Sequence, residues 1–209
     1  MRKIEQGEHV FVAGRTGSGK TFLVKKYLEN SPYKVFVLDL KKTLNWQGIP
    51  DRNIAYINRL ENIRKTGKRK TVYQPIWEEI NPETIDEFFK LIYKEEDCIV
   101  WVDELMAIGN ANKFPDWYKA CLTRGRELGI SVWSCTQRPA TIPIISISEA
   151  AHLFIFDLNM KKDRQRIAEI AGHGAFMQRP GKFVFWYFDT RKTAEPVRAK
   201  LVEKGDGDG

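Results

Sequence analysis

A chain of 209 residues with 43% hydrophobic and 29% charged content has the composition of an ordinary soluble globular protein and the length to bury one full core. No run of about eighteen apolar residues occurs, which excludes a transmembrane helix, and Met1–Glu8 lacks the apolar core of a signal peptide; the expectation is a cytoplasmic protein with no membrane partner. The net charge of +7 fits a polyanion partner without requiring one. Cys98, Cys121 and Cys135 lie in apolar segments without metal-ligand spacing and read as structural thiols.

In chain order, the first informative stretch is His9–Ala13, a short buried strand, followed by Gly14-Arg15-Thr16-Gly17-Ser18-Gly19-Lys20-Thr21. This fits G-x-x-x-x-G-K-[ST], the phosphate-binding P-loop or Walker A motif. Its glycines let the backbone curl so that successive N–H groups face the β- and γ-phosphates of ATP. Lys20 supplies a mobile positive charge, and the Thr21 hydroxyl can ligate Mg²⁺. Thr21–Leu28 then reads as a helix whose N-terminal dipole favours the anion.

Tyr33–Leu40 is the second strand. Residues 41–70 are polar, with weak helical signal over Asn53–Ile63, and end in the basic run Arg64, Lys65, Lys68, Arg69, Lys70. That run reads equally as a loop facing DNA phosphates and as a solvated turn. Thr71–Pro75 is a short strand, placed at an edge by Pro75. Asn81 caps a helix with Pro82 in its first position, running to Tyr93. Cys98–Val102 is apolar throughout, as a parallel strand covered on both faces would be. A helix over Asp116–Leu128 with Gly129 as its stop precedes the strand Ile130–Thr136. Beyond it come His152–Phe156 (strand), Lys161–Ala171 (helix, with Lys161–Arg166 as its solvated face), Phe183–Phe188 (strand) and Pro196–Leu201 (strand). The six tryptophans fall mostly in strand patterns and read as packing residues, Trp46 in its polar loop being the exception; His9, His152 and His173 show no partner pattern.

Three strand ends complete the P-loop chemistry. The apolar strand ending in Asp103-Glu104 forms the second acidic motif of P-loop ATPases (Walker B): Asp103 for the metal's water shell, Glu104 to orient and polarise the attacking water. Gln137 ends the next strand, where a neutral amide can contact the γ-phosphate or the water and report hydrolysis. Arg124 and Arg126 stand just ahead of that strand, and either could act as an arginine finger on a neighbouring subunit. Arg126 and Gln137 are expected near one edge of the sheet's carboxyl end.

Together, Gly14–Thr21, Val35–Lys41 ("VFVLDLK"), Trp101–Leu105 ("WVDEL") and Gly125–Pro139 ("GRELGISVWSCTQRP") resemble the FtsK–HerA superfamily of DNA-pumping ATPases, in particular the genome-packaging ATPases of tailless double-stranded DNA viruses. The resemblance covers roughly residues 8–190. It implies an α/β, RecA-like P-loop fold with a mainly parallel central sheet and additional C-terminal strands, where an AAA+ module would carry a helical lid. It implies that Lys20 and Thr21 bind phosphate and Mg²⁺, that Asp103 and Glu104 serve metal and water, that Gln137 is the sensor, and that Arg126, or failing it Arg124, is the trans-acting finger. It further implies double-stranded DNA as partner, a ring of five or six subunits, and a capsid vertex or portal-like protein. One ATPase domain is expected over residues 1–204, with a flexible tail at 205–209. A phage morphogenesis or secretion ATPase of the same superfamily is one rival; a monomeric P-loop kinase or nucleotide switch, needing neither DNA nor Arg126, is another.

Overall fold

The unbroken apolar runs become strands covered on both faces, and polar-flanked amphipathic stretches become the helices that cover them. The computed structural model describes residues 2–46, 50–110, 112–192 and 195–201; the expected tail at 205–209 lies outside them. In chain order the elements are β1 (Val10–Ala13), α1 (Lys20–Leu28), β2 (Lys34–Leu38), β3 (Ile54–Ile57), β4 (Lys70–Tyr73), α2 (Pro82–Tyr93), β5 (Cys98–Val102), α3 (Asp116–Arg124), β6 (Ser131–Thr136), α4 (Ile145–Ser148), β7 (His152–Phe156), α5 (Lys161–Ala171), β8 (Val184–Asp189) and β9 (Val197–Lys200). All strands join one sheet in the order β3-β4-β2-β5-β6-β1-β7-β8-β9. β1 to β7 are parallel, and β8 and β9 are antiparallel additions. This is the α/β, mainly parallel P-loop NTPase architecture with extra C-terminal strands that the motifs imply.

Two cores sandwich the sheet. On one face Leu23, Val24 and Leu28 of α1 pack against Val12, Val37, Trp101 and Trp133. On the other, Ile85, Phe88 and Phe89 of α2, Tyr118 of α3 and Ile167 of α5 cover Phe11, Val100 and Val132. α2 starts as its sequence dictates: Asn81 Oδ1 accepts from Thr84 N at 2.8 Å, and Pro82 needs no donor there.

Several expectations are corrected. The weakly helical stretch 53–63 contains β3, flanked by single 3₁₀ turns, because Ile54–Ile57 finds the free edge of β4 in parallel register. β4 is therefore not the edge strand. Pro75 is harmless because Gln74 N and Ile76 N donate to Ile57 O and Asn58 O at 2.8 and 3.1 Å, and the proline takes the intervening position. Lys70 belongs to β4 and is buried, its ammonium 6.0 Å from the centre of the Trp46 ring. Arg64, Lys65 and Arg69 remain exposed. Trp46 is a packing residue after all, 4% exposed and edge-on to Trp101 with ring centres 5.9 Å apart. Trp77, by contrast, is 81% exposed. The helix after Asp116 ends at Arg124 and continues to Leu128 as a 3₁₀ turn, with Gly129 left-handed at φ 69°. The face Lys161–Arg166 is only partly solvated: Asp163 is buried, accepting from Arg138 Nε at 3.0 Å and Ala140 N at 2.9 Å. The three cysteines are buried and free, and burial pushes each thiol up, Cys121 to about 12.

His9 has partners after all, though structural ones. Val132 N donates to its Nδ1 at 3.0 Å, and its Nε2 donates to Leu122 O at 2.9 Å. Burial lowers its pKa from 6.5 to about 4, and protonation at Nδ1 would remove the acceptor that Val132 uses. Between those two values the unfolded chain binds a proton that the native protein refuses, so stability should fall as pH drops from about 6.5 to 4, by about 3 kcal/mol from this residue. Urea unfolding across that range should show the slope in the wild type and a flatter one in His9→Gln; equal slopes would show that His9 is not responsible.

Candidate active site

β1 ends in the middle of the sheet, and the chain turns at once into the loop Gly14–Thr21 and α1. Gly14 N donates to Thr136 O at 3.1 Å and Arg15 N to Asp157 O at 2.9 Å, so the loop is tied to the ends of both neighbouring strands. Gly17 and Gly19 take φ of 72° and 107°, values that disfavour any side chain. Gly14 is required for space, because a Cβ there would lie 2.5 Å from Phe156 Cβ and 2.6 Å from Ser18 Oγ.

The loop has the features of an anion cradle. α1 starts without a side-chain cap, which leaves its first-turn N–H groups available. Among the described residues the buried Ser18 hydroxyl has no hydrogen-bond partner. Lys20 Nζ curls back onto Gly14 O and Arg15 O at 2.7 and 3.1 Å, and burial lowers its pKa against the pull of nearby Glu104 and Asp103. Thr21 Oγ1 donates to Asp103 Oδ1 at 3.1 Å, which puts a hydroxyl and a carboxylate side by side at the foot of the loop. The residues present fit a phosphate chain with a divalent cation. Burial pushes the Asp103 carboxyl up, opposed by the Thr21 hydroxyl and reinforced by the charge of Asp39.

Strand order brings the remaining candidates to the same place. β6 lies between β1 and β5, so Glu104, beyond β5, and Gln137, beyond β6, flank the loop on one side. Gln137 Oε1 accepts from Thr16 Oγ1 at 2.7 Å, and its backbone N donates to Glu104 Oε1 at 3.4 Å. Glu104 is 8% exposed, with Oε2 3.3 Å from Lys41 Nζ.

Arg126 and Arg124 are not part of this cluster. Both are exposed, and neither side chain has a hydrogen bond or ion pair among the described residues. Arg126 stands at the amino end of β6, beside Gly7, whose Cβ would lie 2.8 Å from Arg126 O. The expected juxtaposition with Gln137 is overturned: the six residues of β6 separate them by about 20 Å. Neither arginine reaches the P-loop of its own chain.

The sequence pattern assigned no role to Lys41, Asp39 or the pair Asp157–Arg179. Asp157, buried at the end of β7, receives Arg179 Nε and Nη2 at 2.6 Å each and Arg15 Nε at 3.0 Å. The hydrogen bonds from Arg179 hold its carboxyl below the usual aspartate range, against desolvation. The signal that finds Asp103 and Gln137, a polar residue just past an apolar parallel strand, also marks Asp39 and Asp157.

Residues 10–119 match the ATPase family associated with various cellular activities (AAA), a span that covers more than half of the chain. The chain belongs to the AAA ATPase family. The match takes in the P-loop and Asp103-Glu104; the strands β6 to β9 lie beyond it. The ATPase is 26% identical over 174 residues to the DNA packaging ATPase P9 of Enterobacteria phage PRD1, an alignment covering 80% of this chain and 71% of P9. The genome packaging NTPase B204 of Sulfolobus turreted icosahedral virus 2, solved with sulfate, superposes with a TM-score of 0.79 at 15% identity, over 96% of this chain and 99% of B204. B204 has also been solved with AMPPCP. The cytoplasmic domain of the type VII secretion ATPase EccC of Thermomonospora curvata superposes at 0.64 and 16% identity, over 98% of this chain and 26% of that one. These neighbours share the fold. Among the described residues no helix is long and apolar enough to cross a membrane.

The glycines of the loop make a graded prediction. In Gly14→Ala the new methyl group meets Phe156 Cβ, a rigid neighbour, and should cost about 1–3 kcal/mol of stability together with ATP affinity. Gly17→Ala meets nothing within 4 Å among the described residues, so its positive φ is what opposes it. Thermal unfolding and ATP titration should therefore rank Gly14→Ala as the more damaged; the reverse order would contradict the packing described.

Proposed function

We propose that this ATPase is the motor subunit of a viral genome-packaging machine, coupling ATP hydrolysis to translocation of double-stranded DNA into a capsid. The observation that carries the proposal is the hydrogen-bonded link Thr16–Gln137–Glu104, which joins the P-loop to the catalytic carboxylate through the end of a separate strand. Such a link lets the phosphate state of the site move β6 and the segment after it, as a motor requires. Similarity to P9 and B204 over most of their lengths supports the packaging context.

In this reading the backbone of Gly14–Thr21 and the Lys20 ammonium bind the β- and γ-phosphates, and Thr21 with Asp103 holds Mg²⁺. The metal supplies charge neutralisation on the phosphates. Glu104 accepts the proton of the attacking water, and Lys41 fixes its carboxylate through the second oxygen. Gln137 senses the γ-phosphate. The capsid contact is a vertex or portal-like protein, and the working location is the host cytoplasm, with docking at the capsid vertex.

Duplex DNA is the decisive reagent. ATP hydrolysis should rise on adding linear double-stranded DNA, and the stimulation should fall steeply with salt as phosphate contacts are screened. Glu104→Gln should lower both basal and stimulated rates by about 10² or more while ATP affinity stays within a few fold. A wild-type rate indifferent to DNA would favour the second reading, a secretion ATPase, for which the superposition on EccC speaks.

The finger belongs to assembly. Because Arg126 stands about 20 Å from its own P-loop, any transition-state role falls on a neighbour's nucleotide. A head-to-tail ring of five or six subunits brings different faces of successive copies together. There the guanidinium can grip γ-phosphate oxygens in a fixed fork. Arg126→Ala and Lys20→Ala should each be inactive alone and recover hydrolysis when mixed, since some interfaces then pair an intact loop with an intact finger. Co-assembly without recovery would exclude Arg126 and move the test to Arg124.

A further inference from the structure

The P-loop accounts for a triphosphate and leaves the nucleoside end of ATP without residues. Glu104 and Gln137 lie on the β5–β6 side of β1, and a γ-phosphate placed with them sends the nucleoside toward the other side, where β7, β8 and β9 lie. β8 runs antiparallel to β7, with Phe185 opposite Phe156, and β9 pairs back with Lys200 opposite Val184. The turn 180–183 and Leu201 therefore come to the same end of the sheet as the P-loop.

They touch it. A Cβ on Gly19 would lie 2.3 Å from Leu201 Cδ1, 3.4 Å from Phe156 Cε1 and 3.7 Å from Phe183 Cδ1. Phe156 is fully buried, but Phe183 is 42% exposed and Leu201 half-buried, so the two present apolar surface to solvent beside the third loop glycine. Phe183 takes φ 57°, a conformation that an aromatic residue keeps only when its surroundings impose it. The restraints are visible. Leu201 N donates to Phe183 O at 2.9 Å, and Arg198 Nη2 to Pro180 O at 2.6 Å. Arg179, at the start of the turn, forks onto Asp157, which also holds Arg15 of the P-loop. The aromatic turn is thus roped to the phosphate loop through one carboxylate. From Leu201 a groove of about 740 Å³, lined also by Phe22, Lys26, Tyr27 and Phe185 but not by Phe183, runs between α1 and the β8–β9 hairpin. That volume lies within the range of small-molecule sites.

We infer that Phe183 and Leu201 form the nucleoside side of the site, with the base stacked on the Phe183 ring and Leu201 packed against it beside Gly19. This rests on the reading that the P-loop binds the triphosphate. Phe183 and Leu201 offer apolar surface and no side-chain donor or acceptor, so they grip any purine by stacking and do not separate adenine from guanine.

Calorimetric titration of the wild type, Phe183→Ala, Leu201→Ala and Phe183→Tyr with ATP, GTP and inorganic tripolyphosphate, all with Mg²⁺, tests this. Phe183→Ala should raise the Kd for ATP and GTP alike, by roughly tenfold or more, and leave that for tripolyphosphate within twofold. Leu201→Ala should act in the same sense, and Phe183→Tyr should restore binding. Unchanged ATP affinity in both alanine variants would overturn the inference, as would an equal loss for ATP and tripolyphosphate, which would mean that the turn acts only through the loop. A wild type that binds none of the three ligands would instead overturn the P-loop reading on which this one rests.

Discussion

Everything at the site depends on the parallel pairing of β1 with β6 and β7. In that register Ala13 stands level with Thr136 and Ile155, so three chains leave the sheet at one height and in one direction. The backbone groups just past the last rung are then free to bridge: Gly14 N reaches Thr136 O, and Arg15 N reaches Asp157 O. Antiparallel neighbours would have carried Gln137 and Asp157 to the far end of the sheet. Parallel strands must be covered on both faces, which is why β1, β5, β6 and β7 are buried from end to end and why so much of the chain's apolar content is spent on them.

A second constraint is the charge that this arrangement buries. Lys20, Asp39, Glu104 and Asp157 are all nearly inaccessible, and Asp163 lies under the loop after Gln137. Each side chain has a polar partner: backbone carbonyls for Lys20, Leu44 N and Gln74 for Asp39, Lys41 for Glu104, two arginines for Asp157, Arg138 for Asp163. Removing one member of such a pair leaves an uncompensated buried charge, which costs more than the pair itself contributes. These bonds join the P-loop, the ends of β2, β5 and β6, and the end of β7 into one connected polar surface.

The C-terminal strands solve a different problem. Without β8 the outer edge of β7 would present unpaired N–H and C=O groups, and β9 extends the cover with a short strand carrying exposed Arg198 and Lys200, residues that discourage further pairing. The hairpin also returns the chain to the P-loop end of the sheet, so the element that closes the edge borders the P-loop as well.

The sequence alone determined the local elements whose cause is local. The P-loop is legible because glycines with positive φ, a lysine and a threonine at fixed spacing carry their chemistry wherever the strand before them goes. The buried strands are legible because only two-sided burial explains runs such as Cys98–Val102, and α2 because Asn81-Pro82 caps any helix. Asp103, Glu104 and Gln137 follow from the same grammar of polar residues at strand ends. Tertiary structure was needed for anything set by a partner distant in the chain. β3 exists because β4 offers an edge, Trp46 is buried because it meets Trp101, and Lys70 because β4 lies between β2 and β3. Lys41 and Asp157 matter because β2 and β7 end beside β5 and β1, an order no local pattern encodes. Arg126 and Gln137 lie close in sequence, yet a strand of six residues holds them at opposite ends of the sheet, because an extended strand converts short separation along the chain into the largest separation in space.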